Sequence, residues 1–234
     1  MKDNLSKMKG LGVAIITPFL PDGSIDFPAL ERLVDDLVQK RVDYLVALGT
    51  TSESPTLSPD EKRQVVQCVA SVNDGRLPLV MGVGGPNTIG VARDMEAAEA
   101  LPIDAFLSVA PYYNKPSQEG LFEHFKFLSE HAPHPIILYN VPGRTSCNVD
   151  AATTMRIAQE CDNVIGIKEA SGKMKQIMNL LNHKPDNFLV ISGDDMITLP
   201  LMAVGMDGLI SGVANAFPAE MANMVDLSMD DQFI

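Results

Sequence analysis

The sequence predicts a single (β/α)8 barrel over residues 1–234. Three observations lead there. Short apolar runs of strand length, rich in Val, Ile and Leu, recur along the whole chain, as strands buried on both faces require. Amphipathic helical patterns separate them, and strict strand–helix alternation gives a parallel sheet. An open, doubly wound sheet usually carries a Gly-rich phosphate loop after its first strand, where this chain has Thr17-Pro18-Phe19. The run Gly82-Val83-Gly84-Gly85-Pro86 is no substitute: it follows the third strand, and Asn87 stands where the third glycine of GxGxxG belongs.

The elements follow in order. A first strand over 12–17 leads to a helix capped by Asp26 and striped by Leu30, Leu33, Val34, Leu37 and Val38. After a strand at 44–49, Ser58-Pro59-Asp60-Glu61 combines a capping box with proline at the first helical position. Strands at 78–83, 105–109 and 136–140 are each followed by a helix, capped by Asn87, Ser117 and Asp150. The sixth strand spans 164–169, and Met174, Ile177, Met178 and Leu181 stripe its helix as core residues. The seventh strand, 188–193, is followed by Asp195 as a cap and a helix made irregular by Pro200. The eighth, 208–211, precedes a last helical segment over 218–228.

Composition narrows the function. Hydrophobic residues make up 46% and charged residues 21%, as in an ordinary globular protein. No apolar stretch approaches the ~20 residues that span a bilayer, and Met1 to Lys9 lacks the apolar core of a signal peptide. A cytoplasmic location is expected. A net charge of −12 argues against nucleic acid or an anionic membrane as partner. Cys68, Cys147 and Cys161 are scattered, with neither disulfide nor metal spacing, and His124, His131, His134 and His183 form no metal motif. His131 and His134, flanking Pro133, read as surface residues in a loop.

In a barrel the chemistry belongs at the C-terminal strand ends. Lys168 closes the apolar run Val164-Ile165-Gly166-Ile167. Burial there disfavours the ammonium and yields a free amine that attacks carbonyl carbons; the plainer alternative is a charge that snorkels past the strand end. Tyr139 and Thr50, at two other strand ends, suit a proton relay, although each also fits an ordinary strand-end aromatic or a hydroxyl-rich turn. The Gly49-Thr50-Thr51 turn can hold a carboxylate, and Arg144 can grip a second one or stand as a surface charge. Glu53 reads as structural, and Asp194 and Asp195 as helix caps rather than metal ligands. The coincidence of these groups at one mouth favours imine chemistry.

Together these motifs resemble the dihydrodipicolinate synthase family of pyruvate-dependent class I aldolases and lyases. The resemblance runs from Ala14-Ile15-Ile16-Thr17-Pro18-Phe19 to Gly208-Leu209-Ile210-Ser211. It rests on Gly49-Thr50-Thr51-x-Glu53, Pro111-Tyr112-Tyr113-Asn114, Tyr139-Asn140-x-Pro142-x-Arg144-Thr145 and Gly166-Ile167-Lys168-Glu169. It implies that Lys168 forms the Schiff base with pyruvate. It also implies a relay of Tyr139, Thr50 and Tyr113, with Tyr113 reaching a neighbouring subunit's site. Thr51 would hold the pyruvate carboxylate, Arg144 the carboxylate of L-aspartate 4-semialdehyde, and Gly193 and Ile210 would line the pocket. No metal or organic cofactor is implied, the pathway would be lysine and diaminopimelate biosynthesis, and the assembly would be a homodimer or homotetramer.

Sister N-acetylneuraminate lyases and 2-keto-3-deoxy sugar-acid aldolases are the rivals, with Arg144 and Thr50-Thr51 as discriminators; a catalytically silent barrel serving as an interaction module is the alternative from another class. Two departures stand out. Ser52 replaces a common glycine, which matters if φ there is positive, and the family's C-terminal helical domain is expected to be absent. Lysine inhibition is expected to be weak or absent, because Pro86-Asn87-Thr88-Ile89-Gly90 supplies no acid for the effector's amine.

Overall fold

Eight parallel strands close in chain order, each hydrogen-bonded to its sequence neighbours and the eighth to the first. In this computed structural model, which describes residues 7–230, the strands are β1 (Gly10–Ala14), β2 (Tyr44–Ala47), β3 (Leu79–Val83), β4 (Ala105–Val109), β5 (Ile136–Asn140), β6 (Val164–Glu169), β7 (Leu189–Ser192) and β8 (Gly208–Ser211). The barrel helices are α1 (Phe27–Gln39), α2 (Pro59–Asn73), α3 (Thr88–Ala97), α4 (Gln118–His131), α5 (Ala151–Glu160), α6 (Met174–His183), α7 (Thr198–Ala203) and α8 (Pro218–Met229). A one-turn helix, Pro142–Thr145, lies between β5 and α5.

The core has two compartments. Inward-facing Tyr44, Val46, Val80, Leu107, Ile137 and Ile191 fill the lumen. Outward-facing residues such as Val13, Leu45, Phe106, Leu138 and Val190 pack under the helices with Leu30, Val66, Phe125 and Ile157. Period-2 alternation within each strand separates the two sets. Gly12 makes room for the lumen's largest occupant: a Cβ there would lie 2.2 Å from the Tyr44 ring.

One irregularity aims the chemistry. Between β5 and β6, Ile136 pairs with Val164 but Ile137 pairs with Gly166, so β6 carries one extra residue. Ile165 already faces the lumen. Uninterrupted alternation would turn Ile167 inward and Lys168 outward. The bulge resets the phase, as bulges do, so that Ile167 packs in the outer shell and Lys168 stands level with Tyr139.

Most caps form as the sequence predicts. Asp26, Asn87 and Ser117 accept from the backbone N–H of Ala29, Gly90 and Gly120, and Ser58 with Glu61 forms the full capping box. Several expectations need correction. Asp150 occupies the N-cap position of α5 without bonding a helix N–H; its carboxylate accepts instead from Asn148 Nδ2 at 2.7 Å. Asp194, not Asp195, caps the turn after β7, accepting from Met196 N at 3.1 Å. The α6 stripe is Ile177 and Leu180, with Met178 and Leu181 flanking and Met174, the first residue, exposed. β1 starts two residues and ends three residues earlier than expected; past its end the Ile16 N–H leaves the ladder for Asn215 Oδ1 at 3.1 Å. His131 ends α4 rather than lying in a loop, its ring stacked on Phe127. Ser52 does not take the positive φ: Glu53 does, at 55°, while the Ser52 hydroxyl donates to Gly49 O at 2.8 Å.

Candidate active site

All strands point one way, so their C-terminal ends form one mouth. A cavity of about 500 Å³ is lined by Thr50, Gly82, Val109, Tyr112, Tyr139 and Arg144, and also by Lys62, Arg63 and Asp94; Lys168 is not in its lining. β5 and β6 deliver the two central groups as register partners, Tyr139 beside Lys168. Lys168 is only 6% exposed, with Nζ 4.5 Å from the centre of the Tyr139 ring. It is the one lysine among the buried described residues. Burial pushes its pKa down to about 8; the Asp195 carboxylate opposes this fall and the Arg144 guanidinium adds to it. Burial raises the Tyr139 phenol, with the Thr50 side chain and the Arg144 charge pulling the other way.

Gly193 follows β7 with its Cα against the lysine stem: a Cβ there would stand 2.9 Å from Lys168 Cε. Any other residue would displace the amine-bearing chain. Ile210, on β8, is buried in the lumen cluster that includes Tyr139. Thr50 opens a short 3-10 turn after β2 and faces the cavity. Thr51, next in the turn, is half-buried and outside the cavity lining. Arg144 sits on the one-turn helix after β5, exposed, and enters no ion pair among the described residues. Tyr113 is not brought to Lys168 within this chain. It is 90% exposed and held at φ 71° on the loop after β4. Among the described residues, no group of three or more His, Cys, Asp or Glu side chains is placed to hold a metal.

A sequence profile of the Dihydrodipicolinate synthetase family matches residues 7–233. This chain belongs to the dihydrodipicolinate synthetase family. The 4-hydroxy-tetrahydrodipicolinate synthase of Parabacteroides distasonis is 52% identical over 222 residues, which cover 95% of this chain and 75% of that protein. The namesake from Flavobacterium psychrophilum is 50% identical, over 94% of this chain and 75% of its own length. Among solved structures, the dihydrodipicolinate synthase of Thermotoga maritima superposes with a TM-score of 0.94 at 39% identity, covering 96% of this chain and 77% of that one. The Acinetobacter baumannii synthase, solved with pyruvate, gives 0.93 at 40% identity, over 96% and 77%.

Within this family frame, sequence reasoning gave three groups no part in the site: it read Asp195 as a helix cap and assigned Asn140 and Glu169 no role of their own. Asp195 is the carboxylate that acts electrostatically on Lys168, and it also accepts from the Ser211 hydroxyl and from Gly212 N at 3.1 Å. Asn140 and Glu169 are buried behind the lumen residues. The available signal was a polar residue directly after Tyr139 and after Lys168, on strands otherwise apolar.

Proposed function

We propose that this chain is a 4-hydroxy-tetrahydrodipicolinate synthase, condensing pyruvate with L-aspartate 4-semialdehyde through a Schiff base on Lys168. The observation that carries the reading is the buried Lys168 amine, its pKa lowered to about 8, level with Tyr139, which lines a cavity together with Thr50 and Arg144. Such an amine is partly neutral near pH 7.5 and nucleophilic toward a ketone. It adds to the pyruvate carbonyl, and water leaves as Tyr139 and Thr50 shuttle protons. The imine loses a C3 proton to give an enamine, which attacks the aldehyde carbon. The substrate's own amine then displaces Lys168 and closes the ring.

In this reading Thr51 holds the pyruvate carboxylate, Arg144 the aldehyde's carboxylate, and Gly193 and Ile210 shape the wall. No cofactor is needed beyond the covalent imine. Tyr113 belongs to a second copy's site in a homodimer or homotetramer, a role its exposure supports. The reading takes residues 1–234 as one barrel domain working in the cytoplasm. It also expects weak or absent inhibition by lysine, because Pro86-Asn87-Thr88-Ile89-Gly90 supplies no acid for the effector's amine. The sugar-acid aldolase reading gains nothing from the relatives above, which carry the synthase name.

Borohydride reduction in the presence of pyruvate tests the assignment. The expected product is one reduced pyruvate adduct, mapped to Lys168 by peptide mass. An adduct elsewhere, or none, overturns it. A coupled assay with both substrates separates the synthase from an aldolase that cleaves ketodeoxy acids alone.

A further inference from the structure

The outward-facing residues that end β5 to β8 are not apolar like the rest of the outer shell. Asn140, Glu169, Ser192 and Ser211 are all buried, each at most 1% exposed. Asn140 and Glu169 follow Tyr139 and Lys168 directly and are themselves register partners. Their backbones are tied as well: Ala170 N donates to Asn140 O and Gly193 N to Glu169 O, each at 2.9 Å.

Glu169 has no cationic partner among the described residues. Its carboxylate is held by neutral donors only: Ser171 N at 2.6 Å, Asn140 Nδ2 at 3.0 Å and Gln176 Nε2 at 2.9 Å. An anion buried this way is costly, and packing alone does not call for it. What it accomplishes is directional. A carboxylate only accepts, so it fixes the Asn140 amide with nitrogen toward Glu169 and oxygen away. That oxygen accepts from Val149 N at 3.0 Å, and Asn140 Nδ2 also reaches Asn148 Oδ1 at 3.1 Å. Gln176 reinforces the same point, donating to Val149 O at 3.1 Å and accepting from Asn148 Nδ2 at 2.9 Å. The segment between Asn140 and Val149 is the loop that carries Arg144. Asn140 therefore holds both ends of that loop, and Glu169 sets the polarity of the clasp.

We propose that Asn140 and Glu169 are positioning residues that fix the Arg144 loop to the Lys168–Tyr139 pair. This rests on the function proposed above. The pair touches no substrate. It acts through backbone placement, and the separation between the amine and the arginine decides whether the aldehyde meets the enamine.

The test exchanges the polarity of the clasp. Glu169→Gln brings an amide donor to a site that already supplies three donors, so one loses its partner or Asn140 flips and releases Val149. The expected result is a raised KM for the aldehyde and a kcat lowered about ten- to a hundredfold, as for an ångström-scale misplacement, with pyruvate still trapped on Lys168. The double variant Glu169→Gln/Asn140→Asp restores an acceptor facing a donor across the pair and still accepts from Val149 N, while Gln176 Nε2 loses its acceptor on residue 169 and Asn148 Oδ1 its donor on residue 140. It is expected to recover part of the loss, which no general weakening of the fold would do. Gln176→Ala, at a half-buried position, is the milder probe and is expected to raise the aldehyde KM alone. Wild-type kinetics in Glu169→Gln, failure of the double variant to recover, or an unchanged KM in Gln176→Ala overturns the inference. Failure of the unsubstituted chain to trap pyruvate overturns the proposed function instead.

Discussion

Lys168 sits between two opposed charges, and that opposition is measurable. An ordinary lysine, at 10.5, is neutral in about one molecule per thousand at pH 7.5; at about 8 the neutral share is about a quarter. The same shift sets a sign for stability. Between pH 8 and 10.5 the unfolded chain keeps the proton that the folded chain has lost, so this group makes the fold more stable as pH rises through that window. Below pH 8 both states are protonated and the full burial cost is felt. Asp195 raises the Lys168 pKa and Arg144 lowers it. Asp195→Asn is therefore expected to move the acid limb of kcat/KM for pyruvate to lower pH, and Arg144→Gln to move it to higher pH. A pH profile of pyruvate trapping in both variants checks this; shifts in the same direction would refute the electrostatic assignment. Lys168, Tyr139, Thr50 and Arg144 were legible as strand-end polar groups. Asp195 was not, because a carboxylate after a strand reads equally well as a helix cap, and only the pairing of β7 against β6 shows that it lies beside Lys168.

At the scale of elements, α3 and α4 meet through a histidine that cannot accept a proton cheaply. His124 is buried, with Nδ1 2.8 Å from Thr88 Oγ1 and Nε2 without a partner among the described residues, its T-shaped neighbour being Phe125. Burial lowers its pKa from 6.5 to about 4. Between those values the unfolded chain binds a proton and the folded chain does not, so stability is lost as pH falls from 6.5 toward 4, by roughly 3 kcal/mol at most. Urea unfolding at pH 7 and pH 5 is expected to show that loss, and His124→Phe is expected to flatten the slope between them. An equal slope in the variant would place the acid sensitivity elsewhere. Caps such as Ser58 and Ser117 were legible because their bonds are local, closing over three residues. The phase of β6 was not. A bulge is a relation between two strands, and Gly166, the one local hint within Val164–Glu169, does not by itself tell a bulge from a close backbone approach. The α6 stripe slipped for a similar reason. Met174, Ile177, Met178 and Leu181 share a helical face on paper, yet the helix buries Ile177 and Leu180 against the core.

For the whole molecule, closure depends on its thinnest seam. β7 and β8 share one register pair, Ser192 with Leu209, whereas the other neighbouring strands share three to five. A carboxylate ties each end of the seam. At the mouth, Asp195 takes the Ser211 hydroxyl and Gly212 N. At the opposite end, Asp207 Oδ2 accepts from Val190 N at 2.9 Å and Lys184 Nζ at 2.8 Å, while Gly10 N donates to Asp207 O at 3.0 Å, joining β7, β8 and β1. The ion pair from Lys9 to Asp207, at 3.1 Å, involves a solvated lysine and adds little. Asp207→Ala would leave the Val190 N–H without its acceptor and the mostly buried Lys184 ammonium without its carboxylate, keeping only Phe188 O at 3.1 Å, a cost of about 3 kcal/mol. Denaturant unfolding is expected to show that loss, and amide exchange is expected to show β7 and β8 losing protection before β4 and β5. In a barrel the stabilising end and the reacting end are opposite faces. Asp207→Ala is therefore expected to trap pyruvate on Lys168 at the unsubstituted rate below its unfolding transition. A folded Asp207→Ala chain with slowed trapping would mean that the seam, and not the mouth alone, holds the lysine in place.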